Sequence, residues 1–178
     1  AADPSISRLY VVGPEAVLQP ILQSIGCSDP RLEIHPASEV LTMEDKPVQG
    51  LRKKKDCSIL RAVELVRDGK ADAVISSGNT GGIVAAATIR LRTLEGIERP
   101  TIACIMPSKS GAWVLVDGGA NPECSPENLL QFAVMGSAYS RAMLGKQSPR
   151  VGVLSNGSEE SKGTDLTRAA LPLIRASG

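Results

Sequence analysis

At 178 residues, 42% hydrophobic and 22% charged, the chain has an ordinary globular composition and enough length for one domain with a sizeable core. A net charge of +1 gives no global drive toward nucleic acid or an anionic membrane, and 2% aromatics leave little surface for stacking bases. No apolar run is long enough to span a bilayer, and Cys27, Cys57, Cys104 and Cys124 form no C-x-x-C pair, so they read as reduced thiols rather than a disulfide framework, zinc site or redox motif. The N-terminus has no signal-peptide pattern and no Met, which fits a trimmed chain or part of a longer protein.

Arg8 to Gly13 reads as a short buried strand, and Glu15 to Ser24 as a helix opened by Pro14. A second strand is expected over Arg31 to His35. Pro36 to Gly50 has no clear period and contains Pro47, so it reads as a loop with short helical turns, one of them over Val48 to Lys55. Ser58 to Asp68 carries Ile59, Ala62, Val63 and Val66 at helical spacing, with Ser58 as N-cap and Gly69 as stop. Ala71 to Ser76 is expected as a strand, and Thr80 to Arg92 as a helix. Thr101 to Met106 and Trp113 to Val116 form an expected antiparallel hairpin around Pro107 to Ala112. Ser125-Pro126-Glu127 opens a helix that Gly145 ends. Arg150 to Leu154 reads as a strand, and Thr164 to Ala176 as a helix that Pro172 should kink or shorten. The expected fold is α/β, a layered, mostly parallel sheet with flanking helices and an antiparallel hairpin, in a single domain over residues 1–178.

Three polar, glycine-bearing loops follow the apolar strand-like runs: Ser76 to Gly82, Asp117 to Asn121, and Asn156 to Gly163. Together they resemble the rim of an α/β active site. In the first, a turn entering a helix gathers backbone N–H groups and partial positive charge, which suits phosphate. Ser77, Gly78, Asn79, Thr80 and Gly81 are the candidate phosphate ligands; the bland alternative is a tight turn with a capped helix. Asp117 and Asn121 flank Gly118-Gly119, where an aspartate either orients a donor toward substrate or makes an Asx-type turn. Lys162 suits a phosphate or an oxyanion, with Glu159 and Glu160 either fixing it or capping the next helix. The run Arg52-Lys53-Lys54-Lys55 reads by itself as a solvated face. His35, the sole histidine, reads as structural, because a metal site needs several ligands. There is no G-x-S-x-G elbow, and Cys104 lies in an apolar strand where a thiolate is disfavoured.

Several motifs in order resemble one family. They are Ala37-Ser38-Glu39-Val40 with Asp45-Lys46-Pro47-Val48, Leu51 to Asp56, Ser77 to Gly81, Asp117 to Asn121, Ser125-Pro126-Glu127 with Leu130 to Ala133, and Glu159-Glu160 before Lys162-Gly163. This series looks like the PlsX family of bacterial phosphate acyltransferases and covers nearly all of the chain. Family chains extend further at both ends, starting with a D-A-M-G-G-D loop that is absent here. Ser155, Asn156 and Ser158 stand where many relatives have Asn, Ile and Glu.

The resemblance implies a fold like that of isocitrate and isopropylmalate dehydrogenases and phosphotransacetylases. It implies transfer of a fatty acyl group from acyl carrier protein to inorganic phosphate, giving acyl phosphate for phospholipid synthesis. The enzyme so implied is cytoplasmic and homodimeric, can associate peripherally with the inner face of the membrane, and uses no metal or other cofactor. On this reading Asn79, Asp117, Asn121 and Lys162 are catalytic, while Asp45, Lys46, Arg52 and Lys53 contact substrate or the acidic carrier. Two alternatives stay open: a phosphotransacetylase-like enzyme acting on acyl-coenzyme A, and a non-catalytic fragment docking carrier protein or membrane. A nicotinamide-dependent dehydrogenase is disfavoured, since no G-x-G-x-x-G follows the first strand.

Overall fold

The structure, a computed structural model, describes residues 3–157, 159 and 162–177. Its contacts group into two compact units, Ala1–Arg92 and Thr93–Gly178, although the sequence carries no obvious boundary.

The first unit contains β1 (Leu9–Gly13), α1 (Glu15–Ser24), β2 (Leu32–Pro36), α2 (Pro47–Lys53), α3 (Ser58–Arg67) and α4 (Thr80–Arg90). β1 and β2 pair in parallel, Leu9 opposite Leu32 and Gly13 opposite Pro36, with α1 as the crossover such a pair requires. The core is Leu41, Leu51, Cys57, Ile59, Leu60, Val63 and Ala86, with Val74, Ile83 and Ala85 packed against it. It thus joins α2, α3, α4 and the loop before α2. Leu41 is wedged between two helices: a Cβ at Gly50 of α2 or at Gly82 of α4 would collide with its methyl groups, and one at Gly81 would come within 2.6 Å of Pro47 Cγ. Glycine at these positions lets α2 and α4 approach closely. Arg90 of α4 reaches Glu64 of α3 at 2.8 Å, and Arg61 bridges Glu64 and Asp56 at 2.9 and 2.6 Å.

The second unit contains β3 (Cys104–Ser108), β4 (Gly111–Leu115), α5 (Pro126–Leu144) and α6 (Asp165–Ala176). β3 and β4 form an antiparallel hairpin, with Ser108 opposite Gly111 and Lys109-Ser110 as the turn. Ser125 caps α5 in a reciprocal capping box with Asn128, and Gly145 closes the helix in the left-handed region (φ 64°). An open cavity of about 990 Å³ within this unit is lined by Trp113, Leu115, Phe132, Val151 and Ile174 and includes Asp117 and Cys124.

The fold is therefore α/β with a parallel pair and an antiparallel hairpin. Several elements depart from the sequence expectation. Ala71 to Ser76 and Arg150 to Leu154 join no strand ladder among the described residues. Their apolar composition signals burial, but a strand also needs a bonded neighbour; Val74 does pack on the core, whereas Ile75 is 96% exposed. The hairpin turn is shorter than expected, since β3 runs on through Pro107 and Ser108 and β4 starts at Gly111, while Ile102 bonds Gly118 and Asp117 instead of joining the ladder. Ser58 is not the cap of α3: Cys57 holds that position, and the Ser58 N–H donates to the Glu39 carbonyl at 3.0 Å. Pro172 lies inside α6 without ending it.

Candidate functional site

The glycine turn of the first unit leads into α4 through Asn79, the N-cap. Asn79 is buried, 6% exposed, and both ends of its carboxamide are engaged. Oδ1 accepts from the Gly82 N–H at 2.8 Å, and Nδ2 donates to the carbonyls of Thr42 and Asp45 at 3.0 and 3.1 Å. Ser77, Gly78, Thr80 and Gly81 are exposed. The Gly78 N–H donates to Ser76 Oγ at 3.3 Å. The N–H groups of Thr80 and Gly81, in the first turn of α4, have no internal acceptor among the described residues. First-turn donors of this kind, with the positive end of the helix dipole, can receive an anion.

The four residues read as substrate contacts separate into two groups. Asp45 is engaged internally: its Oδ2 accepts from the Thr42 N–H at 2.7 Å, the Thr42 hydroxyl at 2.9 Å and Lys54 Nζ at 2.6 Å. The hydrogen bond from Lys54, then those from Thr42, lower the Asp45 carboxyl to about 2. Lys54 also donates to the Val40 carbonyl at 2.9 Å. Lys46, Arg52 and Lys53 are exposed, and no hydrogen bond or ion pair engages their side chains among the described residues. Lys46 directly precedes Pro47, the residue lying against Gly81. The structure thus brings Asn79, Asp45 and the Gly81 end of the turn together and places Lys46 beside them in the chain.

In the second unit Asp117 and Asn121 form one cluster. Asp117 Oδ1 accepts from Thr101 Oγ1 and the Ile102 N–H, both at 2.9 Å. Its Oδ2 accepts from the Asn121 N–H at 2.7 Å and from Asn121 Nδ2 at 3.2 Å. Asn121 Nδ2 also donates to the Pro100 carbonyl at 2.8 Å. Burial pushes the Asp117 carboxyl up, but the bonds from Ile102, Asn121 and Thr101 outweigh it and hold the group below its ordinary value. A carboxylate so saturated orders the 117–121 turn.

In the third loop the Gly163 N–H donates to Asn156 Oδ1 at 2.8 Å, and the Lys162 N–H to the Glu159 carbonyl at 3.0 Å. Lys162 is exposed, and no hydrogen bond or ion pair engages its ammonium among the described residues. Ser158, Glu160 and Ser161 lie outside the described residues. Thr164 caps α6 by accepting from the Thr167 N–H at 3.3 Å. His35 meets Tyr10 edge-on at 6.2 Å between ring centres.

Sequence reasoning missed the linking roles of Thr42 and Lys54 in the first unit and of Thr101 in the second. The Thr42-x-x-Asp45 spacing carried a signal, since a threonine and an aspartate three residues apart can close a turn on each other.

The fold is shared with EutD phosphotransacetylase from Staphylococcus aureus, at a TM-score of 0.62 and 22% identity over 96% of this chain and 56% of that one. At that identity the likeness concerns fold alone. The chain matches the family described as fatty acid synthesis protein over residues 2–178, and it belongs to that family. Curated relatives include phosphate acyltransferase of Akkermansia muciniphila, 46% identical over 97% of this chain and 49% of the relative. Those of Halothermothrix orenii and Syntrophomonas wolfei are 45% and 44% identical over 94% and 98% of this chain, and 50% and 55% of their own lengths. The chain spans about half the length of the curated relatives it matches. No helix among the described residues is long and apolar enough to cross a membrane.

Proposed function

We propose that the chain carries part of the machinery of a phosphate acyltransferase, which moves a fatty acyl group from acyl carrier protein to inorganic phosphate. The observation that carries this reading is the exposed glycine turn of α4, with two unengaged first-turn N–H groups and the unengaged Lys46 beside them. Kinship with proteins named phosphate acyltransferase supplies the reaction class.

The chemistry needs no covalent enzyme intermediate. A phosphate oxygen attacks the thioester carbonyl, a new C–O bond forms, and the C–S bond breaks with its electron pair on sulfur. The sulfur then takes a proton to give free thiol. The protein's part is to hold a dianion, orient it and offset charge at the developing oxyanion. In this assignment the N–H groups of Thr80 and Gly81 hold phosphate, with Ser77 and Gly78 shaping the turn. Asn79 acts by fixing α4 rather than by donating to the ligand, because its amide is already engaged. Lys162, an exposed cation, suits a developing negative charge. Asp117 and Asn121 keep their loop in shape. Lys46, Arg52 and Lys53 offer free positive charge to an acidic carrier protein. Homodimerisation, a cytoplasmic location and peripheral membrane association belong to the same reading.

The test is release of free thiol from palmitoyl-acyl carrier protein by this chain, with and without inorganic phosphate, and with palmitoyl-coenzyme A as the competing donor. Phosphate-dependent release from the carrier thioester, at least tenfold lower in a folded Lys162→Ala variant, is the expected result. Release that ignores phosphate, or that requires coenzyme A, overturns the assignment. If no thiol appears while carrier protein still binds, a docking role through the α2 cations takes its place.

A further inference from the structure

The Asp45–Lys54 ion pair ties the C-cap of α2 to the turn that precedes the helix. Lys54 Nζ is 2.6 Å from Asp45 Oδ2, and the same oxygen accepts from the Thr42 N–H and hydroxyl at 2.7 and 2.9 Å. This carboxylate closes the 42–45 turn. The carbonyls of Thr42 and Asp45 in that turn receive Asn79 Nδ2, and Asn79 Oδ1 receives the Gly82 N–H. An unbroken series of hydrogen bonds therefore runs from the end of α2, through the turn and Asn79, to the first turn of α4. Sterics run alongside it, since Leu41 has no slack between Gly50 and Gly82, nor Pro47 against Gly81. Neither Lys54 nor Asp45 is free to meet a ligand: Lys54 holds Asp45 and the Val40 carbonyl, and Asp45 holds Thr42 and Lys54.

We propose that Lys54 and Asp45 are positioning residues: their ion pair fixes the 42–45 turn on which Asn79 docks, and so sets the orientation in which α4 presents its first-turn N–H groups to phosphate. The inference rests on the phosphate-binding reading of the glycine turn. It divides the basic run by role, with Lys54 a lock and its neighbours Arg52 and Lys53 the free charges. Linked hydrogen bonds of this kind share strain, so loosening one end is felt at the other.

The test is an NMR titration of the isotope-labelled chain with inorganic phosphate. It follows the backbone amides of Thr80 and Gly81, and separately the exchange rate of the Asn79 side-chain amide protons without phosphate. In Lys54→Met, phosphate affinity should fall about three- to tenfold, the scale of one lost polar interaction, and the Asn79 amide protons should exchange faster. Lys54→Arg, which can still pair with Asp45, should restore most of both. Asp45→Asn, which keeps the size of the side chain and removes its charge, should match Lys54→Met and serves in its place if that variant does not fold. Unchanged Asn79 exchange in Lys54→Met overturns the coupling. Faster exchange with unchanged affinity overturns the positioning role and leaves the phosphate site standing. A wild-type chain whose Thr80 and Gly81 amides ignore phosphate overturns the phosphate reading and this proposal with it.

Discussion

A carboxamide has two donor hydrogens and an oxygen with two lone pairs, and Asn79 spends both ends on backbone groups of two separate segments. The sequence reading makes Asn79 a phosphate ligand and offers a capped helix as the bland alternative for the turn; Asn79 is the residue that caps it. The other half of its work was not legible in the sequence, because Thr42 and Asp45 lie in an aperiodic loop whose path no local pattern fixes. Asn79→Asp separates the two halves. It keeps an acceptor for the Gly82 N–H but sets a carboxylate against two carbonyl oxygens, whereas Asn79→Ala removes both. Each variant should lose about 1–3 kcal/mol, the cost of leaving buried polar groups unpaired, read from urea midpoints. A fully stable Asn79→Asp would mean that the Thr42 and Asp45 carbonyls do not depend on the amide. Asp117 illustrates the same limit of sequence: its place beside two glycines pointed to a functional loop, but its partners Thr101 and Ile102 lie fifteen or more residues away.

Among the elements, those with local signals were the most legible. α5 follows from Ser125-Pro126 at its start and Gly145 at its end, and α3 from apolar residues at helical spacing. Ser125→Ala removes the side-chain half of the capping box and should cost about 1 kcal/mol of stability, seen as a lower urea midpoint at unchanged slope. An unchanged midpoint would mean that Pro126 and Asn128 define the helix start by themselves. Strands were less legible. Ala71 to Ser76 and Arg150 to Leu154 have strand-like composition, but pairing is a non-local property that no single segment encodes. The hairpin was predicted in kind, with too early a start and too long a turn, because the bonds of Ile102 to Asp117 and Gly118 hold its backbone away from the ladder.

Over the whole molecule, near-neutral charge conceals strongly local pairing. Hydrogen bonds from Arg31, side chain first and then backbone, lower Asp29 to about 2, those from Lys54 and Thr42 do the same for Asp45, and Ser38 and Arg61 hold Asp56 well below the carboxylate range. A depressed acid stabilises the folded state above its unfolded value, near 4, and that contribution is lost as pH falls through the folded value. Helical circular dichroism should therefore hold down to about pH 4 and decline between about 4 and 2. Added salt should weaken the exposed pairs even at neutral pH. A transition centred above pH 5 would point to some other group. The wedge of Leu41 between Gly50 and Gly82 has a consequence for how this sequence can change over time. A larger residue at position 50 or 82 is tolerable only alongside a smaller one at 41, and a smaller residue at 41 leaves a void unless one of the glycines grows. Three sites on three separate segments are thus bound to drift together or not at all, and the glycine turn inherits their constraint.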